Sequence, residues 1–156
     1  MSSLAKAGAK NLIVDVRGTA FGDVDAGLAA ARLFVKNGVL AYRQDRGREK
    51  EAVSAAATDG SITITTTVLT DNGTSSGAEV FAAALSGNKR ATLIGERTLG
   101  RAARQKLVRL PDGSALMLTH LLYLTPASVA IHEKGLTPDV AVEQPDVDFG
   151  QPAPAK

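Results

Sequence analysis

Residues Asn11–Val16 (NLIVDV) form a short apolar run rich in β-branched side chains, which predicts a buried strand. The run ends in a glycine-containing turn, Arg17–Gly22. From Asp23 the period changes. Val24, Leu28, Ala31, Leu33 and Phe34 recur near helical spacing, Asp23 and Asp25 suit a helix start, and Asn37–Gly38 suits a stop. Val39–Gln44 predicts a second strand, whereas the polar, Ala-rich stretch Gly47–Gly60 reads mostly as loop. Ile62–Thr70 is almost wholly β-branched and predicts a strand. Asp71-Asn72-Gly73 then turns the chain into an Ala-rich helix over Thr74–Leu85, and Ala91–Ile94 predicts another short strand. Gln105–Leu110 and Ala115–Leu124 flank Pro111-Asp112-Gly113-Ser114, a strong hairpin signal.

Strands that alternate with helices predict an α/β domain with a partly parallel sheet, to which the last hairpin adds antiparallel strands. A length of 156 residues suits one domain. We expect residues 1–10 to be a flexible N-terminus, 11–143 the core, and 144–156, with three of the six prolines, a frayed tail. Aromatics are only 4%, so the core must be built from Ala, Val, Leu and Ile.

Charge and rare residues narrow the chemistry. A formal net charge of +2 gives no footprint for nucleic acid or an anionic membrane. The cluster Arg43, Arg46, Arg48 and Lys50 is interrupted by Asp45, Glu49 and Glu51 and reads as a solvated loop. No apolar run reaches membrane-spanning length, and no signal peptide is visible. The absence of cysteine removes disulfides and thiol catalysis, and two histidines far apart make a metal site improbable. No metal and no cofactor are expected.

The most informative segment is Val68–Val80 (VLTDNGTSSGAEV), where a strand passes through a tight turn into a helix that starts on serines. Unpaired N–H groups at a helix start favour negative charge, including the oxyanion of an acyl-transfer transition state. A competing reading stays open: Ser76-Gly-Ala-Glu79 is also a capping-box pattern. His120 and His132 allow a Ser-His-acid triad in principle, but no spacing supports one.

Taken in order, the segments resemble the tail-specific (carboxyl-terminal processing) serine protease family. Asn11–Gly22 stands where that family has a strand L-I-L-D-L-R followed by N-N-P-G-G. Thr74–Leu85 (TSSGAEVFAAAL) is similar to its serine-rich turn and A-x-A-L helix. Arg90–Gly100 (RATLIGERTLG) with Gln105 follows R-A-x-x-x-G-E-x-T-x-G-K and a later glutamine. Leu110–Thr119 (LPDGSALMLT), Tyr123–Pro126 (YLTP) and Lys134–Val140 (KGLTPDV) complete the set. The resemblance covers roughly Asn11–Val142. It implies a ClpP/crotonase-like mixed sheet with flanking helices and a C-terminal β-hairpin. It also implies C-terminal segments of proteins as substrates, a PDZ domain elsewhere in a longer parent protein, and a location in the bacterial periplasm or otherwise outside the cytoplasm.

Carried over position by position, the resemblance makes Ser76 the nucleophile, with Gly77 and Gly22 contributing to the oxyanion hole. The family's general base is a lysine, and Arg101 occupies that position, with Gln105 to orient it. A desolvated lysine can take a serine proton; an arginine stays protonated and cannot readily do so. Lys106 neighbours Gln105, but on a strand it faces the other way. The N-P-G-G turn is replaced by Thr19-Ala20-Phe21-Gly22, where Phe21 is placed to obstruct the approach. The family often has an aspartate near the end of the helix, where this chain has Gly87. The expected function is a serine-type endopeptidase with an impaired site. The alternatives are a peptide- or ligand-binding homologue, as retinoid-binding repeats are on this fold, and an unrelated crotonase-like enzyme, whose acyl-CoA site finds no match here.

Overall fold

The computed structural model describes residues 7–143, so the expected 144–156 tail and most of the expected N-terminal segment lie outside the described residues. The chain forms β1 (Asn11–Asp15), α1 (Val24–Arg32), β2 (Val39–Asp45), β3 (Glu51–Ser54), β4 (Thr65–Thr70), α2 (Gly77–Gly87), β5 (Ala91–Gly95), β6 (Ala103–Arg109), β7 (Ala115–Leu124) and β8 (Val140–Ala141). The mixed α/β class is the expected one. Its parallel and antiparallel strands separate into two four-stranded sheets, ordered β1-β4-β5-β8 and β3-β2-β7-β6. All pairs in the first sheet are parallel and all in the second antiparallel.

The core lies around α2. Val80, Phe81, Ala82, Ala83, Ala84 and Leu85 are all buried, because the helix packs against α1, β2 of one sheet and β5 of the other. A helix hydrophobic on all sides is stable only in such a position. The small side chains let the layers approach, and the edge-to-face pair Phe34–Phe81 (centroids 5.7 Å apart) supplies much of the aromatic packing. Arg90 is structural: its guanidinium donates to the carbonyls of Phe34, Ile62 and Ile64 at 3.1, 2.8 and 2.6 Å.

Some elements differ from the sequence reading. β1 is an edge strand with Ile13 66% exposed, so its apolar run is only half buried. β3 lies in the stretch read as loop; pairing with β2 imposes the strand, and Arg43 clasps Glu51 across it. β4 begins at Thr65 instead of Ile62, and α2 at Gly77 instead of Thr74. The motif Lys134–Val140 ends in β8, which pairs in parallel with β5, while the Asp139 carboxylate accepts from Leu93 N–H at 2.8 Å.

Candidate active site

The carboxyl ends of the parallel strands gather the loops that follow β1, β4 and β5, the usual place for a site in such a sheet. The loop after β4 is tied down before the helix begins. Asp71 accepts from Gly18 N–H (3.0 Å) and Gly73 N–H (3.0 Å), and Thr74 Oγ1 lies 3.0 Å from the Val16 carbonyl. Ser75 donates its N–H to the Thr19 carbonyl (3.1 Å) and its hydroxyl to that of Ala20 (2.6 Å). These bonds hold Thr74 and Ser75 outside the helix and delay its start.

Ser76 is the N-cap of α2, with φ 54 and ψ −120. For a residue with a Cβ this is a strained conformation, of the kind that persists only when its surroundings over-determine it. They do so here. The Ser76 hydroxyl donates to the Gly22 carbonyl at 2.7 Å, and its N–H to Glu79 Oε2 at 3.1 Å. Gly77 must be a glycine on packing grounds: a Cβ there would stand 2.4 Å from the Asp23 carbonyl oxygen, since the start of α1 crosses directly over it. As the first residue of α2, Gly77 has an N–H that the helix itself does not satisfy.

Glu79 does more than cap. It is fully buried, and besides Ser76 it accepts from Thr98 Oγ1, from Gly100 N–H at 2.7 Å and from Arg101 N–H at 2.7 Å. One carboxylate therefore fastens the loop after β5 to the serine turn. Sequence reasoning assigned it only the N3 position of a capping box; that motif was its only local signal. On the far side of the same loop, the Thr98 hydroxyl accepts from Leu136 N–H at 2.8 Å.

A cavity of about 460 Å³ opens at this junction, lined by Ser76, Gly22, Phe21, Arg101, Gln105 and His132 among others. A similar cleft beside Thr65, Lys89 and Asp139 holds none of these groups. Ser76, Arg101, Gln105 and Gly22 are thus brought together. Arg101 is exposed, and its guanidinium makes no hydrogen bond or ion pair among the described residues. Gln105 makes no hydrogen bond to Arg101 among the described residues; its amide reaches Thr119 Oγ1 at 3.4 Å. Ala103 and Gln105 both line the cavity while Lys106 does not, as strand alternation requires. Gly22 meets Ser76 through its carbonyl oxygen. Phe21 is 87% exposed at the rim. His132 also reaches the cavity, whereas His120 sits on β7 away from it. Arg104 braces the wall, bridging Asp25 and Asp23; the Asp25 carboxylate beside it raises the guanidinium above its ordinary value.

Such an arrangement brings a serine hydroxyl and an arginine side chain to one cavity, with a helix-start N–H on the residue after the serine, but puts no base in hydrogen-bond contact with the hydroxyl among the described residues.

The model of peptidase family S41 matches residues 1–142. The chain is 37% identical over 154 residues to a carboxyl-terminal-processing protease of Synechocystis, covering 97% of this chain and 35% of that protein. It is 36% identical over 146 residues to the carboxy-terminal processing protease CtpA of Bacillus subtilis, covering 94% and 31%. The solved structure of a photosystem II D1 C-terminal processing protease superposes with a TM-score of 0.81 at 36% identity, over 91% of this chain and 37% of that one. The chain therefore spans about a third of the length of the curated relatives it matches. Among the described residues no helix is long and apolar enough to cross a membrane.

Proposed function

The chain belongs to peptidase family S41, and on that premise we propose that Ser76 is the nucleophile of a serine-type endopeptidase site of the carboxyl-terminal processing class, slowed because Arg101 occupies the seat of the base. The observation that carries this reading is the strained Ser76 backbone at a strand-to-helix turn that lines the same cavity as Arg101 and Gln105. Strain of this kind is maintained at functional sites and is not needed for a simple N-cap.

In the proposed reaction Ser76 Oγ attacks a peptide carbonyl carbon. The developing oxyanion faces the Gly77 N–H, with a second donor from the Gly22 turn once its carbonyl has released the serine. A guanidinium carries N–H donors and no acceptor, so Arg101 holds charge without accepting the serine's proton. By the relatives' names the substrates are C-terminal tails of proteins, and we assign this chain the same class. We also place the parent protein outside the cytoplasm of a bacterium, with a PDZ domain elsewhere in its length; fractionation of the source cells tests the location.

The reading is tested by an active-site serine probe. A fluorophosphonate should label Ser76, and Ser76→Ala should abolish the label. Peptide affinity without any labelling or turnover would instead mark a binding homologue.

A further inference from the structure

His132 lies far from Ser76 in sequence, yet it lines the same cavity. The turn that carries it is firmly placed. Ile131 is fully buried, Lys134 and Gly135 both donate back to the Ile131 carbonyl (3.0 and 2.8 Å), and Glu133 N–H donates to the Gly100 carbonyl at 2.8 Å. Gly100 is in turn held by Glu79, the residue that also holds Ser76. The backbone turn that carries the imidazole is thus fixed against the loop that frames the serine. Its Nδ1 is buried and has no hydrogen-bond partner, an expensive state for a ring nitrogen unless its lone pair or proton is used.

Of the side chains around the cavity, the arginine guanidinium offers only donors and the glutamine amide is not basic, whereas a neutral imidazole has one ring nitrogen with a free lone pair. We propose that His132 is the proton acceptor for Ser76 in this chain, standing in for the base that Arg101 cannot provide. The inference rests on the reading of Ser76 as nucleophile.

The step balances. Ser76 Oγ turns away from the Gly22 carbonyl, and its proton passes to a ring nitrogen of His132 as the Oγ–C bond forms and the carbonyl π electrons move to oxygen. Collapse of the tetrahedral intermediate breaks the C–N bond, and the imidazolium gives its proton to the leaving amine. Water then repeats the sequence on the acyl-serine and restores both groups.

The experiment measures the rate at which a fluorophosphonate labels Ser76 in the wild-type chain, His132→Ala, His132→Gln and Ser76→Ala, with melting temperatures to confirm folding. His132→Ala should label about 100-fold more slowly or worse. Added free imidazole should restore the rate in a concentration-dependent way, and Ser76→Ala should stay unlabelled with imidazole present. His132→Gln, which keeps a planar polar group without basicity, should be as slow as the alanine variant. Wild-type rates in either histidine variant, or a slow alanine variant that imidazole does not rescue, would overturn the role of His132 while leaving Ser76 as nucleophile. No label on wild-type Ser76 would overturn the reading of the serine itself.

Discussion

Glu79 Oε2 accepts the backbone N–H of Arg101 at 2.7 Å and that of Ser76 at 3.1 Å, so a single buried oxygen sets the spacing between the serine turn and the loop that bears the arginine. Its other oxygen takes Thr98 Oγ1 and Gly100 N–H. Removing that carboxylate leaves several buried donors without an acceptor. We expect Glu79→Ala to lose about 3–5 kcal/mol of stability, measured by urea unfolding, and to lose fluorophosphonate labelling in whatever fraction stays folded. A loss below about 1 kcal/mol would mean that the donors find water or other partners easily.

The Ser76 backbone gives a prediction of opposite sign. Ser76→Ala and Ser76→Gly both delete the hydroxyl and its bond to Gly22, but only glycine relieves the positive φ. Ser76→Gly should therefore be more stable than Ser76→Ala by about 1 kcal/mol, as thermal melting would show. Equal stabilities would indicate that the turn is unstrained, and would remove the observation that sets this serine apart from a helix cap.

Gly77 is constrained by what crosses it. A Cβ would meet the Asp23 carbonyl oxygen at 2.4 Å, and a Cβ on Gly27 of α1 would meet the Gly77 carbonyl oxygen at 2.0 Å. Gly77→Ala should cost about 1–3 kcal/mol and shift the helix start enough to slow labelling. A variant with native stability and native labelling would contradict the close crossing.

Much of the architecture is legible in the sequence, for reasons that are local. The β6–β7 hairpin follows from Pro111–Ser114, and the change of period after Gly22 marks α1. β3 is not legible because Glu51–Ser54 carries little apolar signal, and its strand geometry comes from β2. The start of α2 is misplaced because Thr74 and Ser75 spend their hydrogen bonds on the loop after β1, a contact no local pattern records. The site divides the same way. Ser76, Arg101 and Gln105 come from ordered motifs and meet in one cavity, but the bonds from Glu79 to Thr98 and Gly100, and the arrival of His132, depend on tertiary closure.

Acid should weaken one remote tie. Asp59 accepts from Ala56 N–H at 2.7 Å and from Arg32 at 2.8 Å, and these hold its carboxyl below the usual carboxylate value. A depressed folded-state value means that the contribution is present above the ordinary carboxylate range, about pH 4, and is lost as pH falls further. The stability difference between wild type and Asp59→Asn should shrink as pH drops below about 4. A difference independent of pH across that range would show that Asp59 does not act through its charge.

The proposed site stands on Arg101 occupying a base's position beside Ser76. Its most direct test is the rate at which Arg101→Lys hydrolyses a peptide with a hydrophobic C-terminus, measured beside the wild-type chain and a Ser76→Ala control. A lysine amine, unlike a guanidinium, can give up its proton to become an acceptor, so the variant should cut about 100-fold faster or more than wild type, with Ser76→Ala inactive. A folded Arg101→Lys variant that cuts no faster than wild type would contradict the account.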